Sequence, residues 1–209
     1  MSDINIYELD KTSDKACVIA RIHTDAFPGF FLTRLGSTFL TILYQCYIDD
    51  LKSGVIVAEC TKRKEILGFI AYSKDYPGFY SKLKKTYLLK FALCAALVAL
   101  KHPSFIKRLL GAFGKEEEVK RAEKYVELAS IGVSSSVQGN GIGGKLVDYL
   151  ISIIDFDEYE YISLETDAFN NDVAKSFYLK KGFKLVGEYK TAEGRRMNEY
   201  QYRSALKNR

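Results

Sequence analysis

Residues 4–9 alternate apolar and polar side chains, the period-two pattern of a half-buried strand. Ser13 is placed to cap a helix running to about Phe27, where Phe27-Pro28-Gly29-Phe30-Phe31 forces a turn. A second helical pattern over 35–48 puts Phe39, Ile42, Leu43, Cys46 and Tyr47 on one stripe. Residues 55–58 and 66–72 read as paired strands around the charged turn at 61–65. Residues 79–113 then interrupt the rhythm with a basic helical stretch broken at His102-Pro103. Beyond it, strands are predicted at 125–133, 161–166, 183–190 and 197–205, and helices at 141–154 and 171–181. Strand and helix alternating from residue 125 imply an α/β sheet with a right-handed crossover.

Composition narrows the class. Of 209 residues, 47% are hydrophobic and 27% charged, enough to bury a core and incompatible with a disordered or low-complexity chain. At roughly 150 residues per domain, the expectation is a single domain over 1–209 that carries 79–113 as an insertion. The net charge of +5 suits an anionic ligand, but it is too diffuse to predict a nucleic-acid partner. Cys17, Cys46, Cys60 and Cys94 are scattered without a CxxC pair, and His23 and His102 are the only histidines. Four reduced, buried thiols and no metal site follow as expectations. The amino terminus is charged where a signal peptide would be apolar, and the longest apolar run, 87–100, falls short of the ~20 residues of a membrane span. The expected location is the cytoplasm.

Candidate chemistry concentrates after Ile131. The run Ile131-Gly132-Val133-Ser-Ser-Ser-Val-Gln138-Gly139-Asn140-Gly141-Ile142-Gly143-Gly144 ends a strand, turns on glycine and opens a helix. Glycines allow a ligand to lie against the backbone, and the free N–H groups of a helix start attract an anion such as a pyrophosphate. A tight turn needs fewer glycines than this. The spacing Gly139-x-Gly141-x-x-Gly144, with Glu165 about 20 residues on, also fits a dinucleotide fingerprint. The chain after Glu165 is too short for the rest of a doubly wound fold, and some 130 residues precede a motif that normally opens its domain.

The pattern Gln138-x-x-Gly141-x-Gly143 after a strand resembles the pyrophosphate loop of the GCN5-related N-acetyltransferase superfamily. Asn171-x-x-Ala174-x-x-Phe177-Tyr178-x-x-x-Gly182-Phe183 resembles that superfamily's second motif. The two cover about 55 residues. The resemblance implies a mixed, mostly antiparallel α/β sheet whose two central strands splay apart, with the helical insertion between strands three and four. It implies acetyl transfer from acetyl-CoA to an amine, without a metal and without an enzyme-bound acyl group. The backbone of Ile131, Gly132 and Val133 would pair with the pantetheine arm. Gln138, Gly139, Asn140, Gly141, Ile142, Gly143 and Gly144 would hold the pyrophosphate, and the amide of Asn171 would touch the arm. The plainer reading of Asn171 is a helix N-cap, a role that can coexist with that contact, and Asn170 is an equally good cap by composition. Tyr178 would be the general acid, against the plainer reading that its ring packs the core. Glu127, six residues before Val133, would be the base, against an ordinary solvated acid; Glu165 is a weaker candidate.

The acceptor is less legible. Family members line its pocket with the loop after the first helix, and Phe27, Phe30 and Phe31 there favour a ring or an aliphatic chain; the same residues could simply seat the second helix. His23 reads as a surface or packing residue. A small-molecule amine is the expected acceptor, with a protein amine, a non-catalytic coenzyme A-binding module and a dinucleotide-binding protein as alternatives. The insertion reads as a solvated hairpin, an attractor for an anionic acceptor, or a contact with an anionic membrane surface. A homodimer is compatible with all of these.

Overall fold

A computed structural model describes residues 3–99, 121, 123–191 and 194–204, with side chains described outside 93–99. Strand β1 (Ile4–Glu8) is followed by helices α1 (Ala16–Ala26), α2 (Phe31–Arg34) and α3 (Ser37–Asp49). Strands β2 (Ser53–Cys60) and β3 (Glu65–Ser73) lead into α4 (Tyr76–Ala99). Strand β4 (Tyr125–Val133), a short 3-10 turn (Ser135–Val137) and α5 (Ile142–Ile153) come next. The chain continues through β5 (Tyr161–Asp167), α6 (Asp172–Lys180), β6 (Lys184–Lys190) and β7 (Arg196–Tyr202). The seven strands form one sheet in the order β1-β2-β3-β4-β5-β7-β6, antiparallel throughout except for the pair β4–β5.

Alternation along the central strands divides the core in two. Val55, Val57, Phe69 and Ala71 face α1 and α3, where Ile19, Leu40, Tyr44 and Ile48 are fully buried. Ile56, Ala58, Ile70, Val126 and Leu128 face the other way and pack with Leu146 and Leu150 of α5. At roughly 1.5–3 kcal/mol per buried aliphatic side chain, these two layers fasten the helices to the two faces of the sheet.

Several expectations are corrected. Helix α1 begins at Ala16 behind Lys15, so Ser13 is not its N-cap; the Ser13 hydroxyl instead accepts the Lys15 N–H at 3.3 Å, a local turn that competes with capping. Residues 31–34 form a helix of their own, and the most buried stripe of α3 runs through Leu40, Tyr44 and Ile48, rotated from the predicted one. Ile42 and Leu43 are half-buried. Cys17 is exposed, whereas Cys46 and Cys60 are buried as expected. Where the basic helical stretch was expected from residue 79, α4 begins at Tyr76; the predicted break and the stretch from 100 to 113 lie outside the described residues. One parallel strand pair among the described strands is not the doubly wound sheet that a dinucleotide fingerprint needs.

Strand β4 positions the site. It pairs with β5 only at Tyr125↔Tyr161, Val126↔Ile162 and Glu127↔Ser163. Past Glu127, β4 follows β3 as far as Gly68↔Val133, while β5 follows β7 as far as Asp167↔Met197. The two strands diverge, and a wedge opens between their carboxyl ends. A register shift between Ala71 and Tyr72, opposite residues 128–130 of β4, marks where it starts.

Candidate active site

The wedge leads into the glycine loop. Gly139 and Gly141 have φ of 82° and 75°, a left-handed backbone that disfavours side chains, and nothing lies within 4 Å of where their Cβ atoms would be. Residues 138–141 are exposed, and Ile142 at the first turn of α5 is 2% exposed and anchors the helix below. The loop thus presents bare backbone at a helix N-terminus to open space, the arrangement that suits an anion. The other two glycines act differently. A Cβ on Gly143 would make ordinary contacts with Phe177 and Val133, whereas one on Gly144 would press on Lys181 at 3.0 Å from Cε.

Two clamps fix the loop, and sequence reasoning missed both. Asp25, near the end of α1, accepts the Ser135 N–H at 2.7 Å, the Ser135 hydroxyl at 2.8 Å and the Ser134 hydroxyl at 3.1 Å. These bonds hold its carboxyl below the usual carboxylate range, led by the Ser135 N–H. Lys181 bridges from the end of α6 to Asp148 of α5 at 2.7 Å, with its ammonium beside Gly144. Neither residue belongs to a spacing motif, because both act across the sequence from other elements. Gln138 carries part of the same duty by donating to the Val133 carbonyl at 3.1 Å, which ties the loop back to its strand.

Beside the wedge, Ile131 and Val133 are half-buried toward α5, and Gly132 is buried against the opposite layer. A Cβ on Gly132 would stand 2.8 Å from the Phe69 ring and 3.4 Å from the Phe27 ring, so close approach explains this glycine. Asn171 precedes α6 as its N-cap residue, but its side chain does not cap; its amide donates to the Thr166 hydroxyl on β5. The N-cap reading therefore holds for position and fails for the side chain.

Tyr178 and Glu127 lie on opposite faces of the sheet. Tyr178 is 8% exposed among Phe177, Phe183 and Tyr200, and burial pushes its phenol well above the ordinary tyrosine range. Glu127 is also 8% exposed, which corrects the solvated-acid reading. It lies toward the α3–α4 layer, where its charge helps raise the phenols of Tyr47 and Tyr76, both driven up first by burial. Glu165 accepts a hydrogen bond from Tyr189 of β6. His23 is 2% exposed, a packing residue rather than a surface one. Among the described residues no group of three or more His, Cys, Asp or Glu could hold a metal ion, and no helix is long and apolar enough to cross a membrane.

A family model described as the acetyltransferase (GNAT) family matches residues 18–183. No curated protein matches the chain. Solved structures do. A structure described as histone acetyltransferase HPA2 and related acetyltransferase from Corynebacterium glutamicum superposes with a TM-score of 0.62 at 19% identity, over 98% of each chain. The NatC complex bound to Gag peptide and CoA gives 0.59 at 13% identity, over 97% of this chain and 99% of that one. NAA60 of Arabidopsis thaliana in complex with a bisubstrate analogue gives 0.56 at 16% identity, over 97% and 99%. At such identities the likeness is one of fold.

Proposed function

Because the chain belongs to the acetyltransferase (GNAT) family, we propose that it moves an acetyl group from acetyl-CoA to a primary amine of a small molecule by direct attack. The observation that carries this reading is the wedge: β4 and β5 keep three rungs and then part, directly before a glycine loop with open space above it. An exposed strand edge invites an extended ligand to pair with it, and a helix start beyond that edge invites the ligand's anionic end. The backbone of Ile131, Gly132 and Val133 would hold the pantetheine arm, residues 138–144 the pyrophosphate, and Asn171, set by Thr166, would border the arm. The bound co-substrate supplies an activated thioester.

The chain's own residues supply protons and alignment. Tyr178 stays protonated at neutral pH because burial disfavours its phenolate, so it can donate to the leaving sulfur. The attacking amine must lose a proton, and Glu127, a buried carboxylate on the other face at the last β4–β5 rung before the strands part, would accept it, directly or through water. Acid and base on opposite faces of a sheet can serve one reaction only where the sheet is open. The wedge provides that opening, and it aligns amine and thioester for attack.

A coupled assay of thiol release with a panel of amines tests the reading. Wild-type protein should release coenzyme A with at least one amine, and Tyr178→Phe should lower kcat roughly 100-fold while coenzyme A still binds. Because structural neighbours include a complex bound to a peptide, the panel includes a peptide amine, and preference for it would move the acceptor class to proteins. Absence of thiol release with every amine tried, while coenzyme A still binds, would leave a coenzyme A-binding module and overturn the proposal.

A further inference from the structure

A short polar chain is buried beneath the loop that follows α1. His23 Nδ1 lies 2.6 Å from the Tyr44 hydroxyl, which in turn donates to the Ser130 hydroxyl of β4 at 3.3 Å. A phenol has one proton to give. With Tyr44 donating to Ser130, His23 donates from Nδ1, and Nε2 carries the free lone pair. That Nε2 is buried and has no hydrogen-bond partner among the described residues. Leaving a buried polar atom unpaired is costly, so such an atom calls for a physical reason.

The surroundings supply one. The imidazole has the Phe27 ring at 4.9 Å and the Phe30 ring at 6.2 Å. Phe27 abuts Gly132, so this aromatic group borders the stretch of β4 that has left β5. Phe30 covers it from outside at 39% exposure, just after Gly29, whose φ of 95° turns the chain into open space. Across the wedge, the Arg195 guanidinium lies 5.9 Å from the Phe30 ring and is paired with Asp167 at the end of β5. Burial holds His23 neutral, with its pKa lowered to about 4, so the lone pair persists at physiological pH.

We propose that His23, Phe27 and Phe30 select the acceptor: a primary amine carried on a ring, whose face stacks on the two phenylalanines and whose O–H or N–H donates to His23 Nε2. The inference rests on the acetyltransferase reading and names the substrate class of that same site. A polyamine offers no ring face to the aromatic pair, and the pocket rejects it for want of contact area.

With only two histidines in the chain, the test is spectroscopically simple. Protein labelled with nitrogen-15 in histidine and saturated with coenzyme A is titrated with tyramine, with glucosamine and with spermidine. At least one of the two ring amines should shift the His23 Nε2 resonance, and spermidine should leave it in place. In steady-state assays His23→Gln should raise KM for that ring amine at least tenfold, with kcat and the KM for acetyl-CoA within twofold of wild type. If the protein acetylates spermidine or a peptide in preference to both ring amines, and neither ring amine moves the resonance, the inference falls while acetyl transfer stands. If no amine yields thiol, the functional reading has failed, and this inference with it.

Discussion

Gly141 offers a way to separate what the backbone needs from what the ligand needs. Its φ of 75° places it in the left-handed region, and no atom lies within 4 Å of a Cβ built there. Gly141→Ala should therefore cost only conformational strain, about 1 kcal/mol, with no steric addition. For a chain of this size that lowers Tm by roughly 3 °C. Asn tolerates this backbone, so Gly141→Asn should be less destabilising still. Gly141→Asp has the same shape as the Asn variant but adds a negative charge. At about 4 Å from a phosphate, repulsion is ~1 kcal/mol in water and ~4 kcal/mol at the screening typical of a protein surface. This loop is exposed, so ~2 kcal/mol is a reasonable expectation, equal to about a 30-fold loss of coenzyme A affinity. Calorimetric titration of coenzyme A into the two variants reads this difference directly, because strain and shape cancel between them. Equal affinities, with both variants folded, would refute the placement of the pyrophosphate at residues 138–144.

Other expectations follow from particular contacts. Gly132→Ala would push a methyl group to 2.8 Å from the Phe69 ring and should cost ~1–3 kcal/mol in chemical denaturation. Asp25→Asn removes the charge that accepts three hydrogen bonds from Ser134 and Ser135 and should weaken coenzyme A binding several-fold, while thermal stability changes little. Burial lowers the pKa of His23 from 6.5 to about 4, so between these values the unfolded chain binds a proton that the folded one refuses. Stability is full above pH 6.5 and falls as pH drops toward 4, by up to about 3 kcal/mol. Urea titrations across that window should show the slope, and His23→Gln should reduce it.

Much of the architecture was legible because it is local. The alternation of β1, the continuous apolar runs of β2 and β3 and the glycine loop before α5 are written in neighbouring residues, and the expected strands lie within a few residues of their limits, whereas the short helix α2 stands where only a turn was expected. The splay between β4 and β5 was foreseen through family resemblance alone, since no periodicity encodes where two strands part. The features that escaped are the ones made across the sequence. Asp25 meets Ser135 over 110 positions, and Tyr44 meets Ser130 over 86. His23 read as a surface or packing residue, and only the fold shows a nitrogen of its ring left without a hydrogen-bond partner among the described residues. The alternative reading of Asn171 as a cap rested on its type alone, yet its side chain reaches Thr166 on β5, a partner that helix propensity cannot supply.

The central claim is geometric, and a crystal structure of the protein with acetyl-CoA tests it most directly. The account predicts pyrophosphate oxygens within hydrogen-bonding distance of backbone N–H groups between Gln138 and Gly144, and the pantetheine arm lying along residues 131–133 in the wedge. A ligand bound elsewhere, with the edge of β4 beyond Glu127 still bare, would contradict it.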